Sequence, residues 1–282
     1  LAAGSVTAAN PQAGDWPVYG YDAGGTRFSP LQQIDTGNVS RLRPAWTYHT
    51  GELPAPSNLR GQQSTAFETT PLLVDGVLYL STAANRIIAL DPLTGRERWK
   101  YDPQAHHPGP VRSRAHRGVA YWPGDAQTPP RILFGTLDGR LIALNAHTGV
   151  PVPGFGNEGE VNLRDGVADK FPALAYGVTS PPAIVNDLVI TGSQVPEGPS
   201  GRGPSGDVRA WNVRSGKLVW TFHTVPRPGE PGHETWRGDG WKDRTGVNVW
   251  TLFTVDTQRQ MVFLAIGSPS YDFYGADRKG QN

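Results

Sequence analysis

Short runs rich in β-branched and aliphatic residues punctuate the chain, and each leads into the same turn chemistry. Gly76-Val77-Leu78-Tyr79-Leu80 precedes Ile88-Ala89-Leu90-Asp91 with Thr94-Gly95. Arg131-Ile132-Leu133-Phe134-Gly135 precedes Ile142-Ala143-Leu144-Asn145 with Thr148-Gly149, and Leu188-Val189-Ile190-Thr191-Gly192 precedes Arg209-Ala210-Trp211-Asn212 with Ser215-Gly216. The three copies are spaced 54 and then 67 residues apart. In the first and third, Trp99 and Trp220 fall four residues after the turn glycine, whereas the second has Val150-Pro151-Val152-Pro153. The unit predicted is a strand, a short turn, a second strand, an Asp/Asn-x-x-Thr/Ser-Gly hairpin and a strand carrying an aromatic anchor. The glycine supplies the positive φ of the hairpin, and the Asp or Asn side chain caps its own turn.

Repeats of short antiparallel strands with no sustained helical period read as four-stranded blades of an all-β propeller. A partial copy ends at Ala45-Trp46-Thr47-Tyr48-His49-Thr50, and an incomplete one starts at Gln260-Met261-Val262-Phe263-Leu264-Ala265-Ile266-Gly267. Propellers close with roughly 4 to 8 blades. Residues 1–282 are therefore expected to be a single, incomplete propeller domain of about four blades, half of a larger ring with its last blade cut short. Trp46, Trp99 and Trp220 are expected to be packing anchors.

Composition narrows the class further. The 35 glycines and 26 prolines fit a turn-rich chain, and 37% hydrophobic residues suffice for a core. Lys and Arg number 26 against 25 Asp and Glu, without a dense basic run, which argues against a nucleic-acid partner. With no cysteine, disulfides, thiolate catalysis, zinc-thiolate sites and iron–sulfur clusters are excluded for this chain. No apolar run approaches the roughly 18 to 20 residues of a spanning helix. The start at Leu1, with Met261 the only methionine, suits a mature terminus after a removed export signal and hence a periplasmic protein. His106, His107 and His116 suit no regular metal spacing and read as turn or surface residues. The string from Gly201 to Gly206 matches a dinucleotide fingerprint in letters only, since it contains Pro204 and leads into a strand.

Further motifs carry a family resemblance. Gly14-Asp15-Trp16-Pro17-Val18-Tyr19-Gly20 with Gly25-Thr26-Arg27-Phe28-Ser29-Pro30-Leu31, then Arg117-Gly118-Val119-Ala120-Tyr121-Trp122, Ser205-Gly206-Asp207-Val208-Arg209-Ala210-Trp211-Asn212 and Asp272-Phe273-Tyr274-Gly275-Ala276-Asp277-Arg278 stand in one order. Together they resemble the pyrroloquinoline quinone (PQQ)-dependent dehydrogenases, eight-bladed quinoproteins that oxidise alcohols and sugars. The resemblance implies PQQ and a divalent cation, Ca²⁺ or Mg²⁺, as cofactors. It implies a small sugar, polyol or alcohol as substrate, a quinone or cytochrome as electron acceptor, and remaining blades from the same or a second chain.

PQQ is a planar o-quinone with three carboxylates, so its site needs a flat apolar surface, cations and hydroxyls, and a hard metal with oxygen ligands. Carried over residue by residue, the resemblance assigns Glu68 and Arg117 to the cofactor site, with Arg117 suited to a planar anion. It has Thr179 donate a hydroxyl, Trp250 form the stacking floor with Asn248 beside it, and Glu197 ligate the metal. It puts no catalytic residue in this chain, because the family's general base lies beyond the equivalent of residue 282; little turnover is expected of these residues alone. Ser268 in place of the metal-binding Asn of alcohol-oxidising relatives, and the absence of their adjacent-cysteine pair, lean toward sugar or polyol substrates. The alternative reading is a non-catalytic propeller serving as a scaffold for protein interaction.

Overall fold

In a computed structural model, residues 14–52, 66–104 and 115–275 are described. β1 (Leu72–Val74), β2 (Val77–Ser81), β3 (Ile87–Leu90) and β4 (Glu97–Tyr101) form one four-stranded sheet. β5 (Ala120–Trp122), β6 (Arg131–Gly135), β7 (Arg140–Asn145) and β8 (Glu160–Asn162) form a second. β9 (Ala183–Val185), β10 (Leu188–Thr191), β11 (Val208–Asn212) and β12 (Leu218–Phe222) form a third, and β13 (Thr254–Asp256) pairs with β14 (Met261–Phe263). Each sheet runs in chain order, and the pairings in register are antiparallel. Among the described residues the only helical elements are two 3-10 turns, Val39–Arg41 and His233–Thr235, and no helix is long and apolar enough to cross a membrane.

The strands expected from the apolar runs are β2, β6 and β10, and the repeat cores that follow them are β3, β7 and β11. Those second-half strands are buried almost throughout: all of Ile87, Ile88, Ala89 and Leu90, and likewise Leu141, Ile142, Ala143 and Leu144. Removing each such aliphatic side chain from water contributes roughly 1.5–3 kcal/mol, so the repeat is chiefly a burial pattern. Arg209 takes the place in β11 that Ile88 and Ile142 hold in their copies, yet it is only 3% exposed. Its two terminal nitrogens find acceptors: they donate to Asp165 O at 2.9 Å, to Leu163 O and to Tyr176 Oη at 3.1 Å, while Nε has no partner among the described residues and the guanidinium lies 4.9 Å from the Trp211 ring centroid.

Close packing divides the chain into two compact units. The first comprises the described residues up to Ile132, with Leu144–Val150 and Thr254–Met261; the second comprises Leu133–Ala143, Pro151–Phe253 and the residues from Val262.

Within the first unit, an indole from one copy lies flat on the turn glycine of the next. A Cβ on Gly95 would fall 2.5 Å from the Trp46 ring, and a Cβ on Gly149 would fall 2.5 Å from the Trp99 ring. Each indole N–H closes the contact by donating to the same turn, Trp46 to Pro92 O at 3.0 Å and Trp99 to Ala146 O at 3.0 Å. Both glycines have φ near +70°, a backbone region costly for any residue with a Cβ. In the second unit the copy that lacks the Trp solves the same problem with backbone. Gly156 N–H donates to Ser215 O at 2.9 Å, and Gly156 and the Val161 side chain fill the space over Gly216.

Trp220 departs from the expected anchor role. It is 37% exposed on β12, in company with exposed Leu218, Val219 and Phe222. The physical reason is that the anchor contact needs a bare glycine turn against the indole, and among the described residues no glycine turn is packed on Trp220.

Between the second and third strands of the first two sheets the connections are tight and charged. Arg86 pairs with Asp102 at 2.9 Å and with Glu52 at 3.7 Å. Arg140 pairs with Asp138 at 3.0 Å and Glu160 at 2.9 Å, while the Thr136 hydroxyl donates to Asp138. The third sheet replaces this closure with the long connection of residues 192–207, which accounts for the wider spacing of the third copy.

Two outcomes follow. Gly149→Ala should lower the unfolding free energy by about 1–2 kcal/mol from the left-handed backbone alone, and its effect should shrink in a Trp99→Ala background; additive losses in urea titrations would contradict the indole-on-glycine contact. Asp138 supplies the pH dependence. Burial pushes its carboxyl up, but the Arg140 guanidinium and the Thr136 hydroxyl outweigh burial and hold it below the ordinary carboxylate value. A carboxyl depressed in the folded state adds stability above its unfolded pKa, roughly 3.9, and loses it as pH falls through the folded value. The stability gap between wild type and Asp138→Asn should therefore be fullest near neutral pH and close in acid, as read from unfolding curves between those limits.

Candidate functional site

Two groups of residues bear on function, one in each unit. In the first unit Glu68 and Arg117, separate in sequence, are brought together: Arg117 Nη2 lies 2.9 Å from Glu68 Oε2, with the arginine side chain 20% exposed and the glutamate 41%. Main-chain pairing sets this up, because Thr70 N–H donates to Arg117 O at 3.0 Å. Gly118 follows at φ +144°, where a Cβ would press on Thr70 O at 3.2 Å.

His116 corrects the expectation of a turn or surface residue. It is 1% exposed, and its Nδ1 is 2.8 Å from Ser81 Oγ, itself 3.1 Å from Thr69 Oγ1. Next to Arg117 in the chain, a buried imidazole thus meets the Ser81 hydroxyl, which in turn meets that of Thr69. Its adjacency to Arg117 was visible in sequence, but its burial was not, since Ser81 and Thr69 come from other segments. His106 and His107 lie outside the described residues.

The second unit holds Thr179, Asn248 and Trp250 together, with Ser180 and Ser193. Thr179 Oγ1 and Ser180 Oγ both donate to the Trp250 carbonyl, at 3.1 and 2.8 Å. Thr179 therefore spends its proton on the main chain of Trp250, and what it offers a ligand is its remaining lone pairs. Asn248 is 2% exposed and donates from Nδ2 to Ser193 O at 2.7 Å; Ser193 N–H in turn donates to Val249 O at 2.9 Å. Only glycine fits at 192, where a Cβ would collide with the Val249 carbonyl.

The long connection of residues 192–207 is laid against the segment 243–249 by further backbone bonds, Gly203 N–H to Asp243 O at 3.0 Å and Thr245 N–H to Gly201 O at 3.1 Å. These bonds hold the segment that leads to Trp250, a residue left 45% exposed. Around it Val178, Thr179, Ser180, Gly192, Ser193, Val249, Thr251 and Phe253 line a shallow space with no charged side chain in the wall.

Glu197 stands apart from this wall, exposed on the same long connection. Among the described residues no three His, Cys, Asp or Glu side chains gather as a metal site. Ser180 and Ser193 are the members of the group that residue reasoning did not single out as ligand contacts; the signal available was their adjacency to Thr179 and to the Thr191-Gly192 step.

Four-stranded antiparallel repeats locked by indole-on-glycine contacts define the all-β propeller class, and in this chain they accompany a half-exposed Trp250 beside the Thr179 and Ser180 hydroxyls. Residues 16–282 match the PQQ glucose/ethanol/alcohol dehydrogenase β-propeller domain, and the chain belongs to that family. It is 37% identical over 277 residues to the glycerol dehydrogenase large subunit of Gluconobacter oxydans (strain 621H), covering 96% of this chain and 36% of that protein. It is 35% identical to the quinoprotein glucose dehydrogenase of Escherichia coli (strain K12), covering 94% of this chain and 33% of that one. Among solved structures, the quinohemoprotein alcohol dehydrogenase from Comamonas testosteroni superposes with a TM-score of 0.72 at 30% identity, covering 93% of this chain and 37% of that chain. The chain spans about a third of the length of the curated relatives it matches.

Thr179 and Ser180 are redundant partners of one carbonyl. Thr179→Val and Ser180→Ala should each cost about 1 kcal/mol or less, and the double variant more than their sum, because only the double removes both of these bonds to the Trp250 carbonyl. Strictly additive losses in denaturant titrations would show that the two bonds do not share a task.

Proposed function

We propose that this chain is the N-terminal portion of a PQQ-dependent dehydrogenase that oxidises a sugar, polyol or alcohol and passes the electrons to a quinone or cytochrome acceptor. The single observation that carries the reading is the Trp250 face, half exposed over the hydroxyl-lined cavity in a chain of the PQQ propeller family. The residues present fit such a ligand: a planar ring needs an apolar platform of fixed orientation, and the Thr179 and Ser180 bonds fix it. When bound, PQQ supplies a two-electron acceptor for oxidation of a hydroxyl-bearing carbon.

In this reading Trp250 stacks under the ring, Asn248 holds Ser193 in place, and Arg117 supplies the cation for a ligand oxygen. Glu68 keeps the Arg117 guanidinium oriented and offsets its charge until an anion arrives, which is how a partly buried arginine is kept ready for a carboxylate. The cavity wall carries neither carboxylate nor imidazole, so the base that takes the substrate hydroxyl proton comes from outside it. For a divalent cation, Ca²⁺ or Mg²⁺, Glu197 is the proposed ligand. One exposed carboxylate does not by itself satisfy a hard cation with six or more oxygen ligands, and no step is assigned to the ion. The substrate class follows the names of the relatives, glycerol and glucose among them.

The test is a PQQ titration of the intact protein followed by tryptophan fluorescence. Wild type should bind; Trp250→Ala should lose the stacking contribution, about 0.5–1.5 kcal/mol beyond area burial, and therefore bind several-fold more weakly. Arg117→Gln, which keeps the size but removes the charge, should also weaken binding, and more so at low salt. Identical titrations for wild type and both variants would overturn the assignment.

A further inference from the structure

Glu68 and Arg117 stand on segments outside the sheets. Glu68 precedes β1 and Arg117 precedes β5, so the distance between them is not set by a ladder of strand hydrogen bonds. The two side chains meet at 2.9 Å and stay partly exposed, whereas their chain neighbours Thr69 and His116 converge on Ser81 inside the protein. His116 Nδ1 lies 2.8 Å from Ser81 Oγ, which lies 3.1 Å from Thr69 Oγ1, and Ser81 N–H also donates to Thr69 Oγ1 at 3.4 Å. One buried hydroxyl thus joins the chain beside Arg117 to the chain beside Glu68.

Ser81 is a fixed point. It ends β2, is paired in register with Ile87 of β3, and is 0% exposed between Leu80 and Thr82, both buried. Groups bonded to it are therefore located relative to the sheet. The main-chain bond from Thr70 N–H to Arg117 O would by itself be a pivot between the two segments. The connection through Ser81 is a second tie at a different place, and two ties stop the turning that one allows. At Gly118 the segments are already in contact, since a Cβ there would press on Thr70 O and reach Thr69 Oγ1 at 3.9 Å.

Orientation matters for the group so held. A guanidinium is a planar fork of donors, and it binds a carboxylate or a ring oxygen well only when the fork faces it. Arginine is also among the side chains that lose most rotamer freedom on being fixed, so a pair ordered in advance binds more tightly than one ordered by its ligand.

We propose that Ser81 and His116 are positioning residues for ligand binding: with Thr69 they hold the Glu68–Arg117 pair in the orientation from which the guanidinium receives an anionic ligand oxygen. Both are sealed from solvent, and they act through Arg117. The proposal rests on the PQQ reading and deepens it, by assigning the buried support of its cationic contact.

The experiment is a set of PQQ titrations of the intact protein, followed by tryptophan fluorescence. Ser81→Ala should raise the dissociation constant about three- to tenfold, the scale of one hydrogen bond. His116→Leu should do the same, and His116→Asn, which keeps a polar atom near the place of Nδ1, should recover most of the loss. The decisive measurement repeats Ser81→Ala and His116→Leu in an Arg117→Gln background, where neither should weaken binding further, because the group they position is gone. The same fold-loss in both backgrounds would mean that the trio supports the fold at large, and would overturn the proposal. Wild-type affinity in both Ser81→Ala and His116→Leu would overturn it too, as would a chain that fails to fold with either substitution. Failure of the wild type to bind PQQ, with Trp250→Ala equally inert, would instead overturn the functional reading on which the proposal stands.

Discussion

Indole rings can lie on β-turns only where the turn has no side chain, and that steric condition governs the regular part of this molecule. At Gly95 and Gly149 the missing Cβ is what admits Trp46 and Trp99, and the positive φ of the same residues is what closes the hairpin. One glycine thus meets two demands, local and tertiary. The indole N–H bonds to Pro92 O and Ala146 O add direction to what would otherwise be non-specific burial. Where the Trp is absent, Gly156 and Val161 fill the place over Gly216, so the condition is a flat filler over a bare turn and not a tryptophan as such.

Sheets secured at those turns leave other connections free to differ, and function concentrates there. Two of the connections between second and third strands are short and knit by Arg86 or Arg140 to acidic partners. The third is drawn out into residues 192–207, and its backbone pairing with residues 243–249 creates the rigid bed of Trp250. In the third sheet a long, glycine-rich connection stands where the other two have a short charged closure. The glycines are needed because carbonyls from the facing segment approach within the space a Cβ would take, as at Gly192 and Gly206.

The two groups of functional residues differ in electrostatic character. Glu68 and Arg117 form a charged pair with the arginine mostly sheltered, and the Trp250 cavity is uncharged and hydroxyl-lined. The Trp250 wall by itself holds no charge that its low-polarity surroundings would have to stabilise.

Much of the fold was legible in the sequence because its signals are local. Turn motifs such as Asp91 to Gly95 act over a few residues, with Asp91 Oδ1 accepting from Leu93 and Thr94 N–H, and apolar runs mark the strands they become. What sequence could not disclose were the choices made between distant segments. The Thr179 hydroxyl finds its acceptor 71 residues away, and Asn248 reaches Ser193 across 55. Arg209 sits buried in an isoleucine position with carbonyls at Leu163 and Asp165 accepting from its terminal nitrogens, and His116 is buried where Ser81 receives it. A hydroxyl, an imidazole or a guanidinium has no preferred partner written beside it in the chain. Its protonation, burial and role depend on which acceptors the packed backbone places within 3 Å or so, and only the tertiary structure makes that placement.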